Sequence, residues 1–170
     1  MPTKDNKFYL DGQTLTTLEL DSIIKNNQQI ELTEEAWAKV KKSREAIYNM
    51  LSDNKKIVYG INTGFGNFAD KIISFNERAI LQNNLIRSHS VCVGKPLPIN
   101  IVKRMMILRI NTLCKGRSGI EPENLEKLIL AYNANFIPMI PEKGTVGASG
   151  DLAPLSHLAL GMMGEGRAWD

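Results

Sequence analysis

Apolar residues recur at three- and four-residue intervals through most of this chain, which predicts a body of amphipathic helices. Behind Thr33, an N-cap residue followed by the acids Glu34 and Glu35, the positions Trp37, Val40, Arg44, Ile47, Tyr48 and Leu51 mark one helix. Ser74 and Glu77 have capping-box spacing, and Ile80, Leu81, Asn84, Leu85 and Ser88 carry a second helical face to about His89. After Pro96 and Pro98 a third segment runs through Ile101, Val102, Met105, Leu108 and Leu113 and stops at Gly116. Pro122 opens a fourth, through Leu125, Leu128, Ile129 and Tyr132. A last helix, with Leu152, Leu155, Leu158, Ala159 and Met162, ends near Gly164 and Gly166.

Between these segments the pattern changes. Phe8, Tyr9 and Leu10 run into Asp11-Gly12, a turn dipeptide, and Thr14, Leu15 and Thr16 come next, which reads as a short β hairpin. Lys56 to Tyr59 is β-prone and gives way to Gly60, Gly64 and Gly66, spaced too closely for a regular element, so a permissive, mobile loop is expected. Pro138 and Pro141 bracket an extended link into a second glycine cluster. The fold class is therefore mainly α, one domain over residues 1–170, with a small β hairpin and glycine-rich loops and no internal repeat.

Composition narrows the function classes. The 43% hydrophobic content is enough for a core, and the net charge of +3 is dispersed, with Lys39, Lys41, Lys42, Arg44 and Glu45 intermixed, which argues against a nucleic acid partner. Cys92 and Cys114 form no CxxC pair, and Met1 to Lys7 lacks the apolar core of a signal peptide, so the expected home is a reducing cytoplasm. Leu152 to Met163 is broken by Pro154, Ser156 and His157 and falls short of the roughly 20 residues of a membrane span, so no membrane partner is expected. The Met105-Met106 and Met162-Met163 pairs sit on apolar faces and imply no metal.

The most informative segment is Gly144-Thr-Val-Gly147-Ala148-Ser149-Gly150-Asp151-Leu-Ala-Pro154, where small residues crowd ahead of a helix. It lacks the Lys-Ser/Thr ending of a phosphate-binding loop. A nucleophile elbow around Ser149 would need glycine where Asp151 stands. A glycine-rich turn capped by Asp151, with Pro154 in the first helical turn, is the plain structural reading. A chemical alternative uses the backbone itself. The Gly150 amide nitrogen can attack the Ala148 carbonyl, closing a five-membered ring across Ser149. Loss of water and elimination of the Ser149 hydroxyl then leave an exocyclic methylene electrophile.

The run Gly147-Ala148-Ser149-Gly150-Asp151-Leu152-Ala153-Pro154-Leu155-Ser156-His157 resembles the signature of the aromatic amino acid ammonia-lyases. The resemblance implies that Ala148, Ser149 and Gly150 form the 4-methylidene-imidazol-5-one cofactor autocatalytically, without metal or pyridoxal phosphate, and that Asp151 supports ring formation or caps the helix. Tyr59-Gly60-Ile61-Asn62-Thr63-Gly64-Phe65-Gly66 is similar to the same family's mobile loop, which implies a catalytic acid or base at Tyr59 in a loop containing Gly60, Asn62, Thr63 and Gly64. On its own terms Tyr59 ends a short strand and is more often a half-buried packing residue with its hydroxyl in water, the reading the residues alone favour, and a phenol serving as base near neutral pH needs positive charge or dipoles beside it.

A third stretch, Leu85-Ile86-Arg87-Ser88-His89-Ser90-Val91-Cys92-Val93-Gly94, resembles the family's substrate-selectivity segment. Ser88-His89 stands at the discriminating pair and points to L-histidine, eliminated to trans-urocanate and ammonia in histidine degradation; tyrosine or phenylalanine lyases and aminomutases are the alternatives. Val91 and Cys92 depart from the smaller alanine and glycine usual there, and Cys92 is read as packing. A lone histidine at a helix end more often has a structural role, and His157 is read as packing too. The resemblance further implies the ammonia-lyase and fumarase-aspartase-like architecture, a homotetramer when full length, and a C-terminal helical bundle that this chain does not contain. The 170-residue segment is accordingly expected to be inactive alone, with the cofactor absent or incompletely formed in it, or to act as a non-catalytic assembly fragment.

Overall fold

The computed structural model describes residues 6–52, 58–64, 71–145 and 152–169, without the side chains of Phe75, Asn76 and Arg78. The elements in chain order are β1 (Lys7–Leu10), α1 (Thr17–Lys25), β2 (Gln29–Leu32), α2 (Glu34–Ser52), α3 (Phe75–His89), β3 (Val93–Pro96), α4 (Ile99–Leu113), α5 (Pro122–Asn133), β4 (Ile137–Pro138), β5 (Pro141–Lys143), α6 (Leu152–Met162) and β6 (Ala168–Trp169). The mainly helical expectation holds, and the segments from Thr33, Ser74, Pro98 and Pro122 each became a helix near the expected bounds.

The N-terminal hairpin does not form. β1 pairs with β2 in parallel, Lys7 opposite Gln29 and Leu10 opposite Leu32, with α1 as the crossover. The turn at Asp11-Gly12 is real: Asp11 Oδ1 accepts the Gln13 and Thr14 amides at 2.8 and 2.9 Å, which holds its carboxyl below the ordinary range. Beyond the turn the chain starts a helix instead of a return strand. Thr16 Oγ1 accepts the Glu19 amide, and the Glu19 carboxylate accepts the Thr16 amide at 2.8 Å, a complete capping box that launches α1. At the other expected box, Ser74 caps no amide with its side chain; its hydroxyl donates to the Glu77 carboxylate, although α3 still begins at Phe75.

The core lies where α4 and α5 meet the parallel strand pair. Val102, Met106, Ile107 and Ile110 of α4 and Leu125 of α5 are fully buried with Ile23, Ile30 and Ile137. Asn133, at the end of α5, clamps the middle of β2: its Oδ1 accepts the Ile30 amide at 2.8 Å and its Nδ2 donates to the Ile30 carbonyl at 2.9 Å. α2 joins through Val40 and Ala36, but its Arg44 and Tyr48 face the loop before α5 instead of the core. Arg44 donates to the Gly119 carbonyl, pairs with Glu121 and lies 4.4 Å over the Tyr48 ring. Gly116 turns the chain after α4 at a φ of 67°, with no room for a Cβ, which would stand 2.6 Å from the Lys39 backbone.

Asn133→Ala leaves both polar groups of Ile30 without their side-chain partner in a partly buried setting. The expected loss is about 2–3 kcal/mol, read as a lowered urea midpoint with unchanged slope.

Candidate functional site

Ala148, Ser149 and Gly150, the residues expected to form the cofactor, lie outside the described residues with Asp151, but the chain on either side of them is placed. β5 leads toward that segment and α6 leads away from it. β5 is paired antiparallel with β3, Val93 opposite Lys143 and Pro96 opposite Pro141 with a register irregularity between, and β3 itself comes a few residues after the Ser88-His89 segment. Two stretches far apart in sequence, the expected selectivity segment and the lead-in to the expected cofactor segment, are thus joined by a strand pair.

The join is tightened at Gly144. A Cβ there would stand 2.2 Å from Cys92 Sγ and 3.0 Å from Cys92 Cα and Cβ, so only glycine lets the backbones approach this closely. Cys92 is buried, and burial pushes its thiol pKa up, keeping it a neutral packing group. From the far side, α6 reaches the same residue. The Cys92 amide donates to His157 Nε2 at 3.0 Å, so His157 is a hydrogen-bond acceptor as well as a packing residue, and burial lowers its pKa in keeping with a neutral ring. Arg87, in the last turn of α3, closes the junction on its exposed side with a two-pronged ion pair to Glu165, at 2.8 and 2.6 Å. Neither the His157 bond nor the Arg87–Glu165 pair has a spacing that sequence patterning could have found.

Ser88 and His89 end α3. His89 Nδ1 lies 2.9 Å from the Leu85 carbonyl, to which the Ser88 hydroxyl also donates at 3.0 Å. A carbonyl partner requires the proton on Nδ1, which leaves Nε2 of the neutral ring as an acceptor. Ser90 is held by its hydroxyl donating to the Ile86 carbonyl at 2.8 Å, so the segment leaves the helix in a fixed direction.

Tyr59 belongs to a compact turn and is 63% exposed. The β-prone run from Lys56 produces no strand in its described part, since Val58 carries no regular structure and Tyr59 is in the turn, while Lys56 and Ile57 lie outside the described residues. Asn62 and Thr63 form the floor of the turn at 4% and 1% exposure. Asn62 Oδ1 accepts the Val58 amide at 2.7 Å, Thr63 Oγ1 accepts the Gly60 amide at 3.2 Å, and the Gly64 and Ile73 amides donate to the Lys71 and Asn62 carbonyls. A long 3.5 Å contact from Gln82 Nε2 to the Gly60 carbonyl links this turn to α3. Phe65 and Gly66 lie outside the described residues.

Among the described residues no group of three or more His, Cys, Asp or Glu side chains is placed to hold a metal, and no helix is long and apolar enough to cross a membrane. An open apolar cleft of about 460 Å³, lined by Leu130, Phe136, Gly161 and Met162, lies at the C-terminal end of α6. It is roughly 15 Å, one helix length, from the end that follows the expected cofactor segment in sequence.

Gly144→Ala forces Cys92 to move and is expected to cost about 1–3 kcal/mol. In a double-mutant cycle by urea unfolding, adding Cys92→Ala should recover part of the loss by removing Sγ, but not all of it, because Cys92 Cα and Cβ still crowd the added carbon.

The chain is similar to known proteins along nearly all of its length. Human histidine ammonia-lyase is 53% identical over 160 residues, which are 94% of this chain and 24% of that protein. The enzyme of Halalkalibacterium halodurans is 46% identical over 94% of this chain and 31% of its own length. The crystal structure of histidine ammonia-lyase from Trypanosoma cruzi superposes with a TM-score of 0.86 at 46% identity, covering 95% of this chain and 30% of that one. The Pantoea agglomerans phenylalanine aminomutase reaches 0.82 at 36% identity, over 91% of this chain and 29% of its own. The chain therefore spans about a quarter to a third of the relatives it matches. The family model described as aromatic amino acid lyase matches residues 15–170, and the chain belongs to that family.

Proposed function

We propose that this chain is the N-terminal domain of a histidine ammonia-lyase, a carbon–nitrogen lyase that converts L-histidine to trans-urocanate and ammonia in histidine degradation. The observation that carries the reading is the junction of β3 with β5, sealed by Gly144 on Cys92, because it joins the Ser88-His89 segment to the strand that precedes Ala148-Ser149-Gly150 in sequence. Identities of 45–53% to histidine ammonia-lyases support the choice of histidine over tyrosine or phenylalanine.

The triplet supplies every atom of the 4-methylidene-imidazol-5-one: the Gly150 amide nitrogen bonds to the Ala148 carbonyl carbon, whose oxygen leaves as water, and the Ser149 hydroxyl leaves with the Cα proton as a second water, making Ser149 Cβ the methylidene. When formed, the ring supplies an electrophile that makes the substrate's amino nitrogen a leaving group. In the overall reaction the Cα–N bond breaks with its electron pair going to nitrogen, a base takes the Cβ proton, and the Cα–Cβ double bond forms. Tyr59 is the acid or base this chain contributes, on a loop formed by Gly60, Asn62, Thr63 and Gly64 that moves during turnover. His89 offers Nε2 as acceptor to the N–H of the substrate imidazole, beside Ser88. Asp151 caps α6 or assists ring closure.

The whole enzyme is a homotetramer in the cytoplasm, with the rest of its site supplied by a C-terminal helical bundle and by neighbouring subunits. The 170-residue chain by itself is inactive and forms the ring incompletely, because closure depends on compression by surrounding structure.

Urocanate formation from L-histidine, followed by ultraviolet absorbance, should appear with the full-length protein and not with this chain alone. Full-length Ser149→Ala should show no turnover and no loss of two waters by mass. His89→Phe should raise KM for histidine by about tenfold, the worth of one hydrogen bond in the site. A cofactor-bearing full-length protein that turns over tyrosine or phenylalanine and not histidine would overturn the histidine assignment.

A further inference from the structure

Building on the lyase reading above, we propose that His157 is a positioning residue: by accepting the Cys92 backbone hydrogen bond on Nε2, it sets the spacing between α6, the helix next to the cofactor-forming segment, and the Ser88-His89 pair that meets the substrate ring.

His157 sits in the middle of α6, and Cys92 lies three residues beyond His89, just before β3. Within the tail of α3 the other described contacts are local. Val91 donates to the His89 carbonyl, Ser90 to those of Arg87 and Ile86, and Ser88 to that of Leu85. These bonds shape the segment without fixing its position against α6. Among the described residues two polar side-chain contacts cross that gap, the exposed Arg87–Glu165 pair and the His157 bond, and of these the second is made to the backbone of the segment. The first joins two exposed side chains and does not touch the backbone that follows His89.

Accepting an N–H on Nε2 requires the His157 proton to sit on Nδ1. Burial lowers the pKa of His157 from its ordinary 6.5, so the acceptor lone pair is present at neutral pH. Without that acceptor the Cys92 amide, on a buried residue, must find a new partner, and the cheapest way is to shift the segment. A shift of about 1 Å is enough to cost an active site up to about a hundredfold.

The test uses the full-length enzyme and two polar substitutions that differ in reach. The amide oxygen of glutamine in His157→Gln can occupy the place of Nε2, whereas that of His157→Asn reaches only as far as Nδ1. His157→Gln should keep KM for histidine within about threefold of wild type, while His157→Asn should raise it about tenfold or more with a smaller change in kcat. Both should keep the mass deficit of two waters. Equal KM values for the Asn variant and wild type would overturn the proposal, as would loss of the mass deficit in the Asn variant, which would place His157 in ring formation instead. A readout without substitution stands beside these: the ¹⁵N shifts of His157 in the wild-type enzyme should show a protonated Nδ1 and a bare Nε2, and the opposite tautomer would sink the idea even if a variant failed to fold. Wild-type protein that eliminates ammonia from no aromatic amino acid would overturn both readings. Turnover of tyrosine or phenylalanine alone would overturn only the histidine assignment, and the Gln and Asn variants would then be compared on that substrate.

Discussion

The close approach of Gly144 to Cys92 is the constraint on which the site depends. Two backbones meet at a distance that excludes a Cβ, and the packing around the contact is built on that distance. β3 and β5 can pair because the chain entering the glycine cluster lies flat against the chain leaving α3. The short, irregular pairing is too small to hold by itself, since an isolated two-stranded ribbon is marginal in water. Its support comes from α3 packed on α6, fastened by one charged pair at the surface and one hydrogen bond to backbone within.

The rest of the domain supplies stiffness to that junction. α4 is buried along one face and carries the chain away from β3, while α5 and the parallel β1–β2 pair close over it. β4 and β6 pair antiparallel after α5 and α6, and Pro138 packs where a side chain on Gly161 would stand, so α6 is tied to the core at its far end. α6 is thus held at its C-terminal end by the core and at its middle by Cys92.

The helices were legible because burial on one face imposes a 3.6-residue period that survives in a single sequence. The first crossover was not, although its signal was present. Thr16 and Glu19 have the same spacing as Ser74 and Glu77, and only the first pair closes a reciprocal box. The difference lies in where the carboxylate finds a donor: Glu19 reaches the Thr16 amide, while Glu77 takes the Ser74 hydroxyl and leaves the helix amides without a side-chain cap from Ser74. Reading Thr14 to Thr16 as a return strand rested on β-branched residues after a turn dipeptide, a local preference that the Thr16 cap overrode. The approach of β5 and α6 to the chain after His89 was not legible, because it rests on a glycine contact and a side-chain bond to a distant amide, neither of which has a period or a spacing to read.

The two histidines show how one residue type is given opposite jobs by its neighbours. His89 spends Nδ1 on the Leu85 carbonyl at the end of α3, which fixes the proton there and leaves a bare Nε2 as an acceptor. His157 spends Nε2 on the Cys92 amide, which also fixes the proton on Nδ1, but now the bare nitrogen is consumed inside the protein. Both rings therefore carry the same tautomer when neutral, and the difference between a group able to meet a ligand and a group that holds backbone lies in which nitrogen the fold has used. Protonating His157 would cost it the bond to Cys92 altogether, so burial that disfavours the charged form of His157 acts in the same direction as the geometry.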